Sequence, residues 1–177
     1  MIPKKRSGPI WLFLVALTVT VTVGDWSKAT AQETVFVVSR IRGASVADKT
    51  FTDEGKQKAQ ALSRMLMDAD IDVIYAMDRS TPVQTAELAA KTLNMTVNKI
   101  SWNPTAIDDW VQRLPTEHAN QRILVVTGGP RPMTGEGPRI LKGLGIPDKE
   151  IWARRSNHLF LILPKDRGEP SVIKMRW

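Results

Sequence analysis

The sequence contains no cysteine, two histidines and a single tyrosine among its 177 residues. Without cysteine there is no disulfide framework, no thiol nucleophile, no zinc–thiolate cluster and no lipid attachment through sulfur. His118 and His158 alone leave little material for a histidine-based metal site or a catalytic dyad, and neither a metal nor a cofactor is expected. Internal repeats, low-complexity linkers and long runs of one charge are also missing. What remains is ordinary: 42% hydrophobic and 24% charged residues, which excludes wholesale disorder. The length suits one domain, or one domain plus a leader, and is enough to bury a core without disulfides.

The formal charge of +7 raises the question of nucleic acid or membrane. Part of it belongs to residues 1–31, where Lys4, Lys5, Arg6 and Lys28 stand against Asp25. This segment reads as an export signal: a positive start, an apolar stretch from Ile10 to Val23, and a polar end at Ala29-Thr30-Ala31 with small–x–small residues for cleavage. The competing reading is an uncleaved anchor through residues 8–24. Fourteen residues of helix rise ~21 Å, short of the ~30 Å hydrocarbon core. Cleavage after Ala31 is the preferred expectation, with export to a bacterial periplasm or beyond. The rest of the chain then carries +4 with no basic run and no recognised binding motif, so nucleic acid is not expected as a partner.

From Thr34 onward, short β-rich runs alternate with helical patterns. Thr34–Val38, Ile71–Ala76, Thr96–Ser101 and Arg122–Thr127 read as strands, the first and last continuously apolar as in strands buried on both faces. Thr52 is placed to cap a helix whose first turn holds Asp53 and Glu54, with Ala59, Leu62, Leu66 and Ala69 as its apolar stripe. Pro82 suits the first turn of a second helix, buried through Val83, Ala86, Ala90 and Leu93. Pro104 opens a short helix with Ile107, Trp110, Val111 and Leu114 on one side, and another helix is expected around Arg139–Leu144. His158–Leu163 and Val172–Trp177 read as a closing hairpin. The pattern predicts one α/β domain over residues 32–177, a three-layer α/β/α arrangement with a mainly parallel sheet and helices on both faces.

Sites in such sheets lie beyond the C-terminal ends of the strands. That points to the loops Ser39–Gly43, Met77–Thr81 and Gly128–Met133. Arg40 and Arg42 follow the first strand, Arg79 the second, and Arg131 the strand ending at Thr127. Together they form a candidate site for a phosphate-like anion through charge-assisted hydrogen bonds, set against the reading of solvated loop cations. The run from Gly128 to Gly137 lacks Gly-Lys-Ser/Thr before a helix and does not fit G-x-G-x-x-G, and its prolines remove amides. It reads as a reshaped loop. Met65 and Met67 read as packing residues rather than metal ligands, and His118 as a surface loop residue. Trp152 beside Arg154 and Arg155, in the segment KEIWARRSN, is a candidate protein contact, the alternative being an amphipathic cover over the core.

Several segments, in order, resemble the histidine phosphatase superfamily with its phosphoglycerate mutase-like fold, especially its small exported single-domain members. TVFVVSR resembles the first strand, which usually runs into Arg-His-Gly or Arg-His-Ala-Glu. FTDEGKQKAQAL is similar to the Leu-Thr-x-x-Gly helix start, and DIDVIYAMD followed by QTAELAA to the second strand and the Gln-Thr-Ala helix. RILVVTGG takes the place of the strand ending in a second histidine, and SNHLFLILP with SVIKMRW that of the terminal strands.

The resemblance implies a phosphoryl-transfer site in which one histidine is the nucleophile, arginines bind the phosphoryl oxygens and a second histidine steadies the transferring group. Every one of those positions is changed here. Ser39 stands for the motif arginine, Arg40 for the nucleophilic histidine, Thr81 for the arginine before Gln-Thr-Ala and Gly128 for the second histidine. A guanidinium has no lone pair to offer and stays protonated. Ser39 as an alternative nucleophile has no base beside it in the motif. The sequence therefore predicts no catalytic residue: a pseudoenzyme, exported, acting as a binding or accessory protein. The alternative is a phosphatase with altered or residual phosphomonoesterase activity.

Overall fold

The computed structural model describes residues 33–41, 51–128, 135–152, 158–165 and 168–176. The expected leader, Arg42, Arg131, Arg154 and Arg155 lie outside them, as do the side chains of Trp152 and His158.

Eleven elements follow in chain order: β1 (Thr34–Ser39), α1 (Asp53–Leu66), β2 (Val73–Met77), α2 (Ser80–Leu93), β3 (Val97–Ile100), α3 (Pro104–Glu117), β4 (Arg122–Thr127), α4 (Glu136–Gly143), α5 (Asp148–Trp152), β5 (His158–Leu163) and β6 (Ser171–Arg176). They build one six-stranded sheet in the order β3-β2-β4-β1-β5-β6. The first four strands are mutually parallel, whereas β5 runs antiparallel to β1 and to β6, so the sheet is mixed and closes in the expected hairpin.

Alternation along each strand sorts side chains between two cores. Val35, Val37, Met77, Ile123, Val125, Phe160 and Ile162 pack under α3, α4 and α5 against Ile107, Trp110, Leu114, Ile140 and Ile151. Their strand neighbours Phe36, Val38, Ile74, Ala76, Leu124, Val126 and Leu159 face α1 and α2 and meet Leu62, Leu66, Ala86 and Ala89. Strands covered on both faces need no polar positions, which is why their sequences read as continuous apolar runs.

Local signals hold where they have a mechanism. The Thr52 side chain accepts a hydrogen bond from the Gly55 amide, with Asp53 and Glu54 in the first turn of α1. Asn103 caps α3 in the same way and Pro104 begins it, but that helix runs fourteen residues rather than being short. Helix α5 was not foreshadowed by any apolar stripe; five residues are too few to show one. Ala69 lies beyond the end of α1, although it packs against the second core. The reading of Met65 and Met67 as packing residues is corrected: both are exposed, because α1 turns that side to water as it ends. Among the described residues no helix is long and apolar enough to cross a membrane.

Candidate functional site at the C-terminal sheet edge

The chain leaves β1 toward α1 on one face of the sheet, and leaves β4 toward α4 on the other. Strands β1 and β4 are neighbours whose following helices lie on opposite faces, and the C-terminal ends of such strands are the usual place for a ligand site in an open α/β sheet. Ser39 and Thr127 close those strands as register partners and are buried. The Arg40 amide donates to the Thr127 carbonyl at 2.8 Å, which fixes Arg40 at the rim with its side chain half-buried. The next amide, Ile41, donates to Thr85 Oγ1 at 3.2 Å, and that hydroxyl donates to the Thr81 carbonyl at 2.9 Å. Ser39, Arg40, Thr81 and Gly128 are thus brought to one edge by two parallel strands and the start of α2.

The structure adds a second group to that edge. Arg79, in the turn after β2, places its Nε 2.8 Å from Glu136 Oε1 in the first turn of α4. The same guanidinium lies over the ring of Trp102, 5.2 Å from its centroid, in the loop after β3. Trp102 is 59% exposed. Glu136 is held more closely, its side chain 18% exposed. A Cβ atom on Gly128 would lie 2.8 Å from Glu136 Oε2. The glutamate carboxylate therefore occupies the volume into which a side chain at position 128 would grow. Nearby charge is already matched: Asp78 pairs with Lys99 at 3.2 Å.

Helix α4 is tied down one turn later. Arg139 Nε donates to Asp108 Oδ1 at 2.7 Å and its Nη2 to Oδ2 at 2.5 Å, a fork that joins α4 to α3. That hydrogen-bonded fork holds the Asp108 carboxyl below the usual carboxylate range. Arg139 is on the exposed side of the helix.

Of the four arginines expected at the site, Arg40 and Arg79 are at the same edge, and Arg79 is matched by a carboxylate rather than open to an anion. Sequence reasoning missed Glu136 and Trp102. Trp102 directly follows a strand on the ligand side of the sheet, a signal that was available. Glu136 gave none, because its meeting with Arg79 depends on where α4 starts.

His118 is corrected from a surface loop residue to a half-buried one at the opposite edge. It caps the C-terminus of α3, with Nε2 2.8 Å from the Tyr75 hydroxyl and Nδ1 2.6 Å from Gln121 Oε1. The amide oxygen only accepts, so Nδ1 donates to it, and Nε2 meets the Tyr75 hydroxyl. Both nitrogens are thereby engaged, and the ring has no free lone pair. Tyr75 in turn meets Trp110 edge-on at 5.1 Å. Glu33 is 7% exposed in the same neighbourhood; burial pushes its carboxyl up, and the charge of His118 opposes that shift. Its Oε1 and the Trp110 Nε1 are buried without a protein partner among the described residues. His158 begins β5, paired with Arg176, at the C-terminal end of β1. Among the described residues no group of three or more His, Asp or Glu side chains could hold a metal ion.

No family model matches the chain, and no curated protein matches it in sequence. Solved structures do. The chain is similar to an alpha-ribazole phosphatase from Shigella flexneri, with a TM-score of 0.60 at 13% identity over 81% of this chain and 96% of the other. It is similar to the protein histidine phosphatase SixA in complex with tungstate, with a TM-score of 0.60 at 14% identity over the same shares. A phosphoglycerate mutase from Plasmodium falciparum matches with a TM-score of 0.55 at 15% identity, over 82% of this chain and 90% of that one. With a shared sheet, shared layers and near-complete coverage of the compared proteins, the chain has the histidine phosphatase, or phosphoglycerate mutase-like, fold.

Proposed function

We propose that this protein is a non-catalytic member of the histidine phosphatase fold, exported to the periplasm, that acts by binding rather than by turnover. The reading rests on one observation above the others. The position of the expected second histidine is Gly128, and the carboxylate of Glu136 fills the space beside it. A carboxylate there repels an incoming phosphoryl group, where phosphoryl transfer needs fixed positive charge. Arg40, at the position of the nucleophile, has no lone pair with which to attack. His118 is engaged on both nitrogens at the far edge of the sheet. Export rests on the three-part leader, and a protein contact through Trp152, Arg154 and Arg155 on their composition.

A second reading, residual phosphomonoesterase activity, is favoured by the compared structures, which are named as phosphatases and a mutase. Acid-quench trapping with a labelled phosphodonor, together with turnover of a generic phosphomonoester, separates the two. No phosphoenzyme and no turnover above buffer is expected. Turnover that disappears in Arg40→Ala would reverse the reading.

A further inference from the structure

We propose that Arg79 and Trp102 form a seat for a carboxylate ligand, and that Glu136 is its tethered internal occupant. This rests on the binding reading given above and specifies the ligand class of that site. The three residues come from three separate elements, the turn after β2, the loop after β3 and the first turn of α4, and converge although nothing in local sequence requires it. The indole draws the guanidinium toward its face by a cation–π attraction, with the charge 5.2 Å from the ring centroid. The guanidinium receives a carboxylate at 2.8 Å.

Charge selects the ligand. Arg79 presents one guanidinium, and among the described residues the carboxylate nearest to it in sequence, Asp78, is matched by Lys99. A monoanion therefore balances Arg79, as Glu136 does, whereas a phosphate dianion needs a second cation. The ligand class is accordingly a carboxylate, and an aromatic one also gains from the exposed ring of Trp102. Glu136 competes as a tethered group, for which effective concentrations of the order of millimolar or above are usual. An external carboxylate binds only by displacing it. Gly128 keeps the arrangement possible, since any side chain there pushes against Oε2.

The test is titration of the full chain with benzoate and, separately, inorganic phosphate, following the Arg79 side-chain Nε–H resonance by NMR. Glu136→Ala vacates the seat, and benzoate is expected to bind it at least tenfold more tightly than it binds the unaltered protein. Phosphate is expected to gain less than benzoate. Adding Arg79→Ala to that variant is expected to abolish the gain. Should Glu136→Ala fail to fold, Glu136→Gln keeps the side-chain shape, removes its charge and is expected to give the same direction of change. Equal benzoate affinity with and without the Glu136 carboxylate overturns the proposal, as does a gain that survives Arg79→Ala or favours phosphate. Those results leave the non-catalytic reading standing, because that reading fails only if phosphomonoester turnover is measured.

Discussion

The two ends of the parallel strands have opposite characters. At the C-terminal edge, Trp102 stands largely in water and Arg79 is balanced by Glu136. At the N-terminal edge, Tyr75, His118 and Gln121 form a closed chain of hydrogen bonds beside a buried glutamate and a buried tryptophan. The His118 imidazole lies at this second edge, held on both nitrogens. An ionisable side chain is defined by its edge of the sheet as much as by its type.

The sharpest contrast between the edges lies in their tryptophans. Trp110, 5% exposed, is expected to cost about 3–5 kcal/mol when changed to alanine, read from the urea midpoint, as for other buried aromatics. Trp102→Ala is expected to fall within about 0.5 kcal/mol, the range of exposed substitutions. Equal losses at both would erase the distinction. His118→Ala follows in size. It leaves the Tyr75 hydroxyl without its imidazole partner, and a loss of about 1–3 kcal/mol is expected in the same measurement.

Smaller and pH-dependent is the effect of Glu33→Gln. Burial raises the folded-state pKa of Glu33 above its unfolded value of 4.5. The protonated form is therefore favoured by folding, and its contribution is complete below pH 4.5 and lost as pH rises through the folded value. The glutamine variant should be more stable than the parent at pH 7, with the advantage shrinking toward pH 4 in thermal melts. A constant difference across that range would mean that the carboxyl is not desolvated. The smallest expected effect is on activity: Arg40→His combined with Gly128→His should remain without phosphomonoester turnover, because under the proposed reading Ser39 and Thr81 supply no guanidinium where phosphate binding needs one. Turnover in that double variant would show that the edge had lost only its imidazoles.

The layers were legible in the sequence because each strand carries its burial as a local pattern. Arg122–Thr127 is read without error since both of its faces are covered. The same locality made Thr52 readable as a cap. Helix α5 was not, being too short for periodicity, and α3 proved longer than its apolar positions suggested. At the site, Ser39, Arg40, Arg79, Thr81 and Gly128 follow from strand ends alone. The pairing of Arg79 with Glu136, 57 positions apart, depends on how α4 is anchored through Arg139 and Asp108, and no local pattern records it. His118 was misread for a related reason: its polar surroundings, Thr116–Gln121, look like a loop, yet its partner Tyr75 comes from the middle of a distant strand.

The close approach of Glu136 to Gly128 also sets what position 128 does when it changes. A Cβ there meets only the far end of the Glu136 side chain, which can swing aside through its own rotamers. Position 128 is thus a dial on the contact between Glu136 and Arg79: the larger the group placed there, the further the carboxylate is pushed from the guanidinium.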